Sequence, residues 1–253
     1  MNPRLTPEKT YENNLVLLRE HLNVLTDRSR PVMEVTFDGR HLFNDEHVTA
    51  NPKIQVRLWD ENPVMLKTDT LGMRMFLAYP CEVEGCALEP VYFSHDDVMW
   101  TAATDTSDFK ILFAPNDLAE GRYRFRVEGA DASGNTSDDA PYEIYFRVEN
   151  EESLVVSRAY PNPFLLETSL ELTITGQGQA PHLYTFFVMS MNGSLIAKSA
   201  DNGTGLHVGR NFIRWDGRDT NGELVPDGMY FYRLVITGNG KDEEYNGKVV
   251  LLR

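Results

Sequence analysis

Short runs of alternating polar and apolar residues, each closed by a turn-forming cluster, recur along almost the whole of this sequence. In the first of them Met33, Val35 and Phe37 interleave with Val32, Glu34, Thr36 and Asp38. Side chains of a strand point to opposite faces in turn, so such a run predicts a strand with one buried face. Similar runs occupy residues 54–59, 73–79, 109–113, 123–127 and 142–148. Asp38-Gly39, Asn62-Pro63, Asn116-Asp117, Gly121 and Ser133-Gly134-Asn135 separate them. Residues 153–158, 170–175, 183–191, 195–199, 211–215, 228–237 and 248–253 continue the pattern, with Asn192-Gly193 as a hairpin turn. Many short strands without helices between them predict an all-β chain of antiparallel sandwiches.

At 253 residues the chain is long enough for two cores. Asn150-Glu151-Glu152-Ser153 is the polar break between them, which predicts sandwiches over 31–150 and 151–253. Residues 1–30 form a helical linker in this reading. Leu15, Leu18, Leu22 and Leu25 recur at helical spacing over 7–26, with Thr6 as N-cap ahead of Pro7. That amphipathic helix is the one helix expected.

The net charge is -14, and residues 31–150 hold 10 Lys and Arg against 22 Asp and Glu. Such a surface repels phosphate backbones and anionic bilayers, which disfavours nucleic acid and membrane as partners. No run reaches the ~20 apolar residues of a membrane span, and the start of the sequence lacks a signal peptide's apolar stretch. Export therefore requires a signal upstream of this chain.

Three clusters in the second half have physical readings of their own. In Tyr160-Pro161-Asn162-Pro163-Phe164 the two prolines bar a central-strand ladder, which makes a rigid corner with Phe164 inserted into the core. Trp215 closes the core at a strand end and Asp216-Gly217 turns the chain. After Asp227, Gly228 opens a strand in which Tyr230, Tyr232 and Leu234 share one face and Phe231, Arg233 and Val235 the other.

These clusters, with Arg218-Asp219 and Asn221-Gly222 in the same order, resemble the immunoglobulin-like domain of flagellar hook-capping proteins over about residues 155–253. That domain type also stands at the end of proteins exported by the type IX secretion system of Bacteroidetes-type bacteria. Sorting domains of that kind finish with a short strand introduced by lysine, as Lys248-Val249-Val250-Leu251-Leu252-Arg253 does after Gly247. The resemblance thus implies a sorting signal on Gly228, Tyr230 and residues 248–253. Its implied partner is the outer-membrane translocon, which would grip the main-chain edge of the last strand. Removing 248–253 would then leave a folded but unexported domain. Tyr123–Asn135 resembles the penultimate strand and turn of bacterial immunoglobulin-like domains. Val35–Gly39 with 51–54 and 58–62 is similar to a domain that precedes the sorting domain in large surface proteins, some with a gingipain-type peptidase upstream.

Chemistry beyond this is sparse. Cys81 and Cys86 are spaced for a small loop-closing disulfide; Glu82, Glu84 and Glu89 around them blunt any nucleophilic thiol. The six histidines lack zinc-like spacing, so no metal or cofactor is assigned. Asp60-Glu61 with Asp69, or Asp131 with Asn135 and Asp138-Asp139, are the oxygen-rich turns that calcium would use. No catalytic constellation stands out, and the expectation is a non-enzymatic tail, secreted or surface-attached. The alternatives are an adhesive module binding a surface polysaccharide or protein through Tyr92, Phe93 and Trp100, or a filament subunit.

Overall fold

The structure, a computed structural model, describes residues 27–62, 64–80, 86–177, 183–201, 205–238 and 241–253. Every regular element among them is a strand, and no helix there is long and apolar enough to cross a membrane. The helix expected over 7–26 lies outside the described residues.

The first nine strands are β1 (Val32–Phe37), β2 (Glu46–Val48), β3 (Ile54–Trp59), β4 (Arg74–Ala78), β5 (Glu89–Val91), β6 (Val98–Thr101), β7 (Phe109–Phe113), β8 (Gly121–Glu128) and β9 (Tyr142–Val148). They form two sheets, ordered β1-β3-β7-β6 and β2-β9-β8-β4-β5. Alternation decides what is buried: Ile54, Val56 and Leu58 of β3 point inward while Gln55, Arg57 and Trp59 point out. Between the sheets Phe146 lies 5.3 Å from Phe37 and 5.2 Å from Tyr123, ring to ring. Aromatic stacking of this kind fills a sandwich interior densely.

The remaining strands are β10 (Ser153–Val156), β11 (Thr168–Thr175), β12 (Leu183–Met189), β13 (Leu195–Ala200), β14 (Gly209–Trp215), β15 (Gly228–Gly238) and β16 (Lys241–Leu251). Their sheets are β10-β11-β14 and β13-β12-β15-β16, all antiparallel. A second cluster of buried side chains, including Leu172, Phe186, Val188, Leu234, Val249 and Leu251, shares no member with the first.

Three strands escaped the sequence pattern. β2, β5 and β6 have three, three and four residues, too few for a period to show. β2 also runs parallel to β9 rather than antiparallel, because the chain crosses to the other sheet after β1 before pairing. The last strand is longer than the expected 248–253: it pairs with β15 without a break from Lys241 to Leu251. Its first half, Lys241-Asp242-Glu243-Glu244, is too polar to read as a strand, and the ladder to β15 carries it.

The two sheet pairs meet at β2. Glu46 is buried, and its carboxylate accepts from Phe43 N at 2.9 Å, Arg40 Nη1 at 3.1 Å and Arg210 N at 2.9 Å. Arg40 Nη2 also donates to Val208 O at 2.8 Å. Gly209 has φ 95°, and a Cβ there would stand 2.5 Å from His47 O, so glycine alone permits this approach. Burial, with Arg40 nearby, pushes the His207 imidazole pKa down. Replacing Glu46→Ala would strand a guanidinium and two amides, and the expected cost is about 3 kcal/mol in urea unfolding. An unchanged midpoint would show that the junction contributes nothing.

Candidate functional site

The residues singled out in the second half converge around the last strand. Phe164 is fully buried, with its ring 5.4 Å from Trp215; Trp215 lies 5.2 Å from Tyr230, edge to face. The polar tips of these large side chains are satisfied locally. Trp215 Nε1 donates to Arg218 O at 2.8 Å and Tyr230 OH to Pro226 O at 2.6 Å, while burial raises the Tyr230 phenol pKa. Thr168 Oγ1 donates to Pro161 O at 2.8 Å, which fixes the corner to β11. The peptide bonds before Pro161 and Pro163 are cis.

This corner lies along the outer edge of β16. Asn162 Nδ2 donates to Lys248 O at 2.9 Å, and Asn162 Oδ1 accepts from Val250 N at 2.9 Å. Two positions on, Phe164 N donates to Val250 O at 2.9 Å and Leu252 N donates to Phe164 O at 2.9 Å, a parallel bridge. One carboxamide and one peptide unit together replace a neighbouring strand. In an antiparallel ladder alternate residues turn their main-chain groups away from the partner. Those of Val250, the carbonyl of Lys248 and the amide of Leu252 are therefore already taken. The edge-gripping expected from the sequence would therefore have to displace the corner along that stretch.

Arg253 completes the assembly. Its amide donates to Asp227 Oδ2 at 2.9 Å, and its guanidinium donates to Val225 O at 3.0 Å and Gly217 O at 3.1 Å. Gly217 has φ 72°, and a Cβ there would sit 2.5 Å from the guanidinium. The turn of Asp216, whose Oδ1 accepts from Arg218 N at 3.2 Å, is thereby tied to residue 253. Gly228 pairs with Leu251 at the start of β15. Val249 and Leu251 are fully buried. Residues 248–253 are thus part of the core and not a detachable appendage, so deleting them removes two core side chains.

Elsewhere the structure gathers different residues from those expected. Cys86 is disulfide-bonded, and Cys81, the other cysteine, lies outside the described residues. Among the described residues one group of three ligating side chains forms, Asp27, Asp60 and Asp131, with carboxylate oxygens within 4.8 Å of one another. The calcium turns proposed from sequence do not assemble as written. Asp69 instead reaches Lys67 and Leu71, and Asp139 pairs with Arg30 at 2.5 Å. Burial pushes the Asp60 carboxyl pKa up, with Asp131 and Asp27 adding to it. Protein donors engage all three: Asn62 N on Asp60, Asn62 Nδ2 on Asp27, and the amide and side chain of Asn135 on Asp131. The group closes residues 27–30 onto two loops.

Tyr92 and Phe93 follow β5, whereas Trp100 is on β6 of the opposing sheet, so these aromatics do not form one platform. Trp59, which the sequence analysis placed only at the end of a strand over 54–59, stands 46% exposed between two cavities of about 420 and 480 Å³. Asp60, Glu61 and Thr104 line the first; Glu34, His41 and Arg57 line the second.

No protein family matches the chain, and no curated protein matches it. Among solved structures it is similar to dimeric latent PorU from Porphyromonas gingivalis, at 17% identity and a TM-score of 0.34, over 89% of this chain and 20% of that one. It is also similar to the CbhA fibronectin(III)-like modules of Clostridium thermocellum, at 11% identity and a TM-score of 0.26, over 86% and 93%. A DUF4785 family protein from Legionella pneumophila follows at 10% identity and a TM-score of 0.29, over 86% and 55%.

If the corner holds the last strand as described, Asn162→Ala destabilises the chain by about 2 kcal/mol, for two lost hydrogen bonds at about 1 kcal/mol each. Trp215→Ala costs about 3–5 kcal/mol. Chemical denaturation checks both, and an unchanged midpoint for Asn162→Ala would show that the carboxamide does not hold the strand.

Proposed function

We propose that this chain is a non-enzymatic tail region of an exported protein, in which residues 151–253 are a type IX sorting domain and residues 31–150 a spacer or binding module. Its partner is the outer-membrane translocon, and its destination is the cell surface or the medium once an upstream signal peptide has taken it to the periplasm. One observation supports this above others. The three clusters that resemble hook-capping-type sorting domains, around Asn162, Trp215 and Gly228, pack on one another and on residues 248–253. Motifs far apart in sequence that converge on one strand are the arrangement a recognition element built on that strand requires.

The test is export of a fluorescent protein carrying a signal peptide and fused ahead of residues 1–253. It is produced in a type IX-competent bacterium and in a mutant lacking the translocon. Reporter at the surface or in the medium of the competent strain alone is the expected result. Folded reporter retained in the periplasm of both strains would overturn the sorting role.

A second reading, an adhesive module in the first sheet pair, draws on Trp59. A half-exposed indole flanked by carboxylate, hydroxyl and guanidinium groups matches the way pockets combine an apolar body with a few polar groups, and sugar rings present both kinds of surface. Retention of the chain on a polysaccharide array, lost in Trp59→Ala, is the expected result under that reading. Equal retention of both proteins, or none of either, would set it aside.

A further inference from the structure

The closed edge at 248–252 directs attention to the face of the same sheet. By register, Met189, Phe231 and Lys248 stand side by side on its outer surface, as do Lys198, Phe187 and Arg233, and then Met229 and Val250. Phe231 is 41% and Leu252 51% exposed. Lys198 Nζ lies 5.5 Å and the Arg233 guanidinium 5.0 Å from the centre of the Phe187 ring. Neither these two cations nor Lys248 has an ion pair among the described residues. Three cations without an ion pair among the described residues thus surround an apolar centre, on a chain of net charge -14. Asp242 and Glu244 sit at the far end of this face, opposite Thr237 and Val235.

We propose that this outer face, centred on Phe231 and rimmed by Lys198, Arg233 and Lys248, is the docking surface for an acidic protein partner. Three considerations select that occupant. The first sheet pair approaches β11 and β14 of the opposite sheet, and no named strand of it packs on this face among the described residues. A second copy stacking the same apolar centre would bring three cations against three, and like charges in a buried interface cost several kcal/mol. An anionic bilayer would attract the patch but repel the acidic remainder of the chain. An acidic protein gains from both the cations and the apolar area, and aromatic, methionine and arginine side chains are the composition that interface centres favour. The proposal rests on the sorting reading for the identity of the partner as part of the export machinery, but the surface stands on its own geometry.

The experiment is photocrosslinking of the full chain, fused to the exported reporter, in type IX-competent cells. Phe231→benzoylphenylalanine samples the face and Phe212→benzoylphenylalanine, on the opposite sheet, is the control. The expected result is a discrete protein adduct at position 231 and not at 212. It should fall at least ten-fold when Arg233→Glu and Lys248→Glu are added, with the melting temperature unchanged. No adduct at 231, or one indifferent to the charge reversal, would overturn the docking surface. So would charge-dependent sedimentation of the purified chain with phosphatidylglycerol vesicles, or crosslinking to a second copy. Export of the reporter is read in the same cells: an adduct without export would defeat the sorting role and leave the surface standing, and export without an adduct would do the reverse.

Discussion

The side chain of Asn162 does for the last strand what a neighbouring strand would do. A strand at the edge of a sheet exposes a row of main-chain donors and acceptors that invites pairing with another chain. Here a carboxamide spans Lys248 and Val250, and the peptide unit of Phe164 takes over from Val250 to Leu252. Phe164 anchors the arrangement: full burial of such a ring contributes about 1.5–3 kcal/mol, and its place beside Trp215 fixes which residues of β16 the carboxamide can reach. Bulk and register are divided between two residues of one corner.

The consequences run through the second sheet pair. With its lower edge closed and Arg253 tied to Gly217, Val225 and Asp227, the end of β16 is held on three sides. Among the described residues, the upper half of the same strand has no such cover. It carries Lys241, Asp242, Glu243 and Glu244, all exposed, and charge on an edge strand discourages pairing in its own way. The outer face of this sheet combines apolar and cationic groups, while the opposite sheet lies toward the first sheet pair. Edge, face and junction thus have different chemistry within one small sandwich.

Alternation made the all-β architecture legible, because a half-buried strand writes its period into the sequence. The insertion of Phe164 was legible because the two prolines before it exclude a central-strand ladder and make a rigid corner. The role of Asn162 was not, since a hydrogen bond to residues 86 and 88 positions away leaves no local trace. Glu46 and Arg40 look like solvated surface charges in sequence, and only the approach of Gly209 turns them into a buried junction. Asp27, Asp60 and Asp131 belong to three separate turns, so acidic neighbours along the chain pointed to groupings that three-dimensional packing replaced. Trp59 was visible only as the end of a strand, and the cavities beside it are made in part by loops whose course no period describes.

The most direct measurement of the central claim is amide hydrogen exchange of β16 in the intact chain. The outward-facing amides fall into two sets, with Val250 and Leu252 under the corner and Asp242, Glu244 and Asn246 open to water. Val250 and Leu252 are expected to exchange as slowly as core amides such as Leu234, and the other three faster by orders of magnitude. Equal, rapid exchange along the whole outer edge would contradict it, because the corner would then not be holding the strand at all.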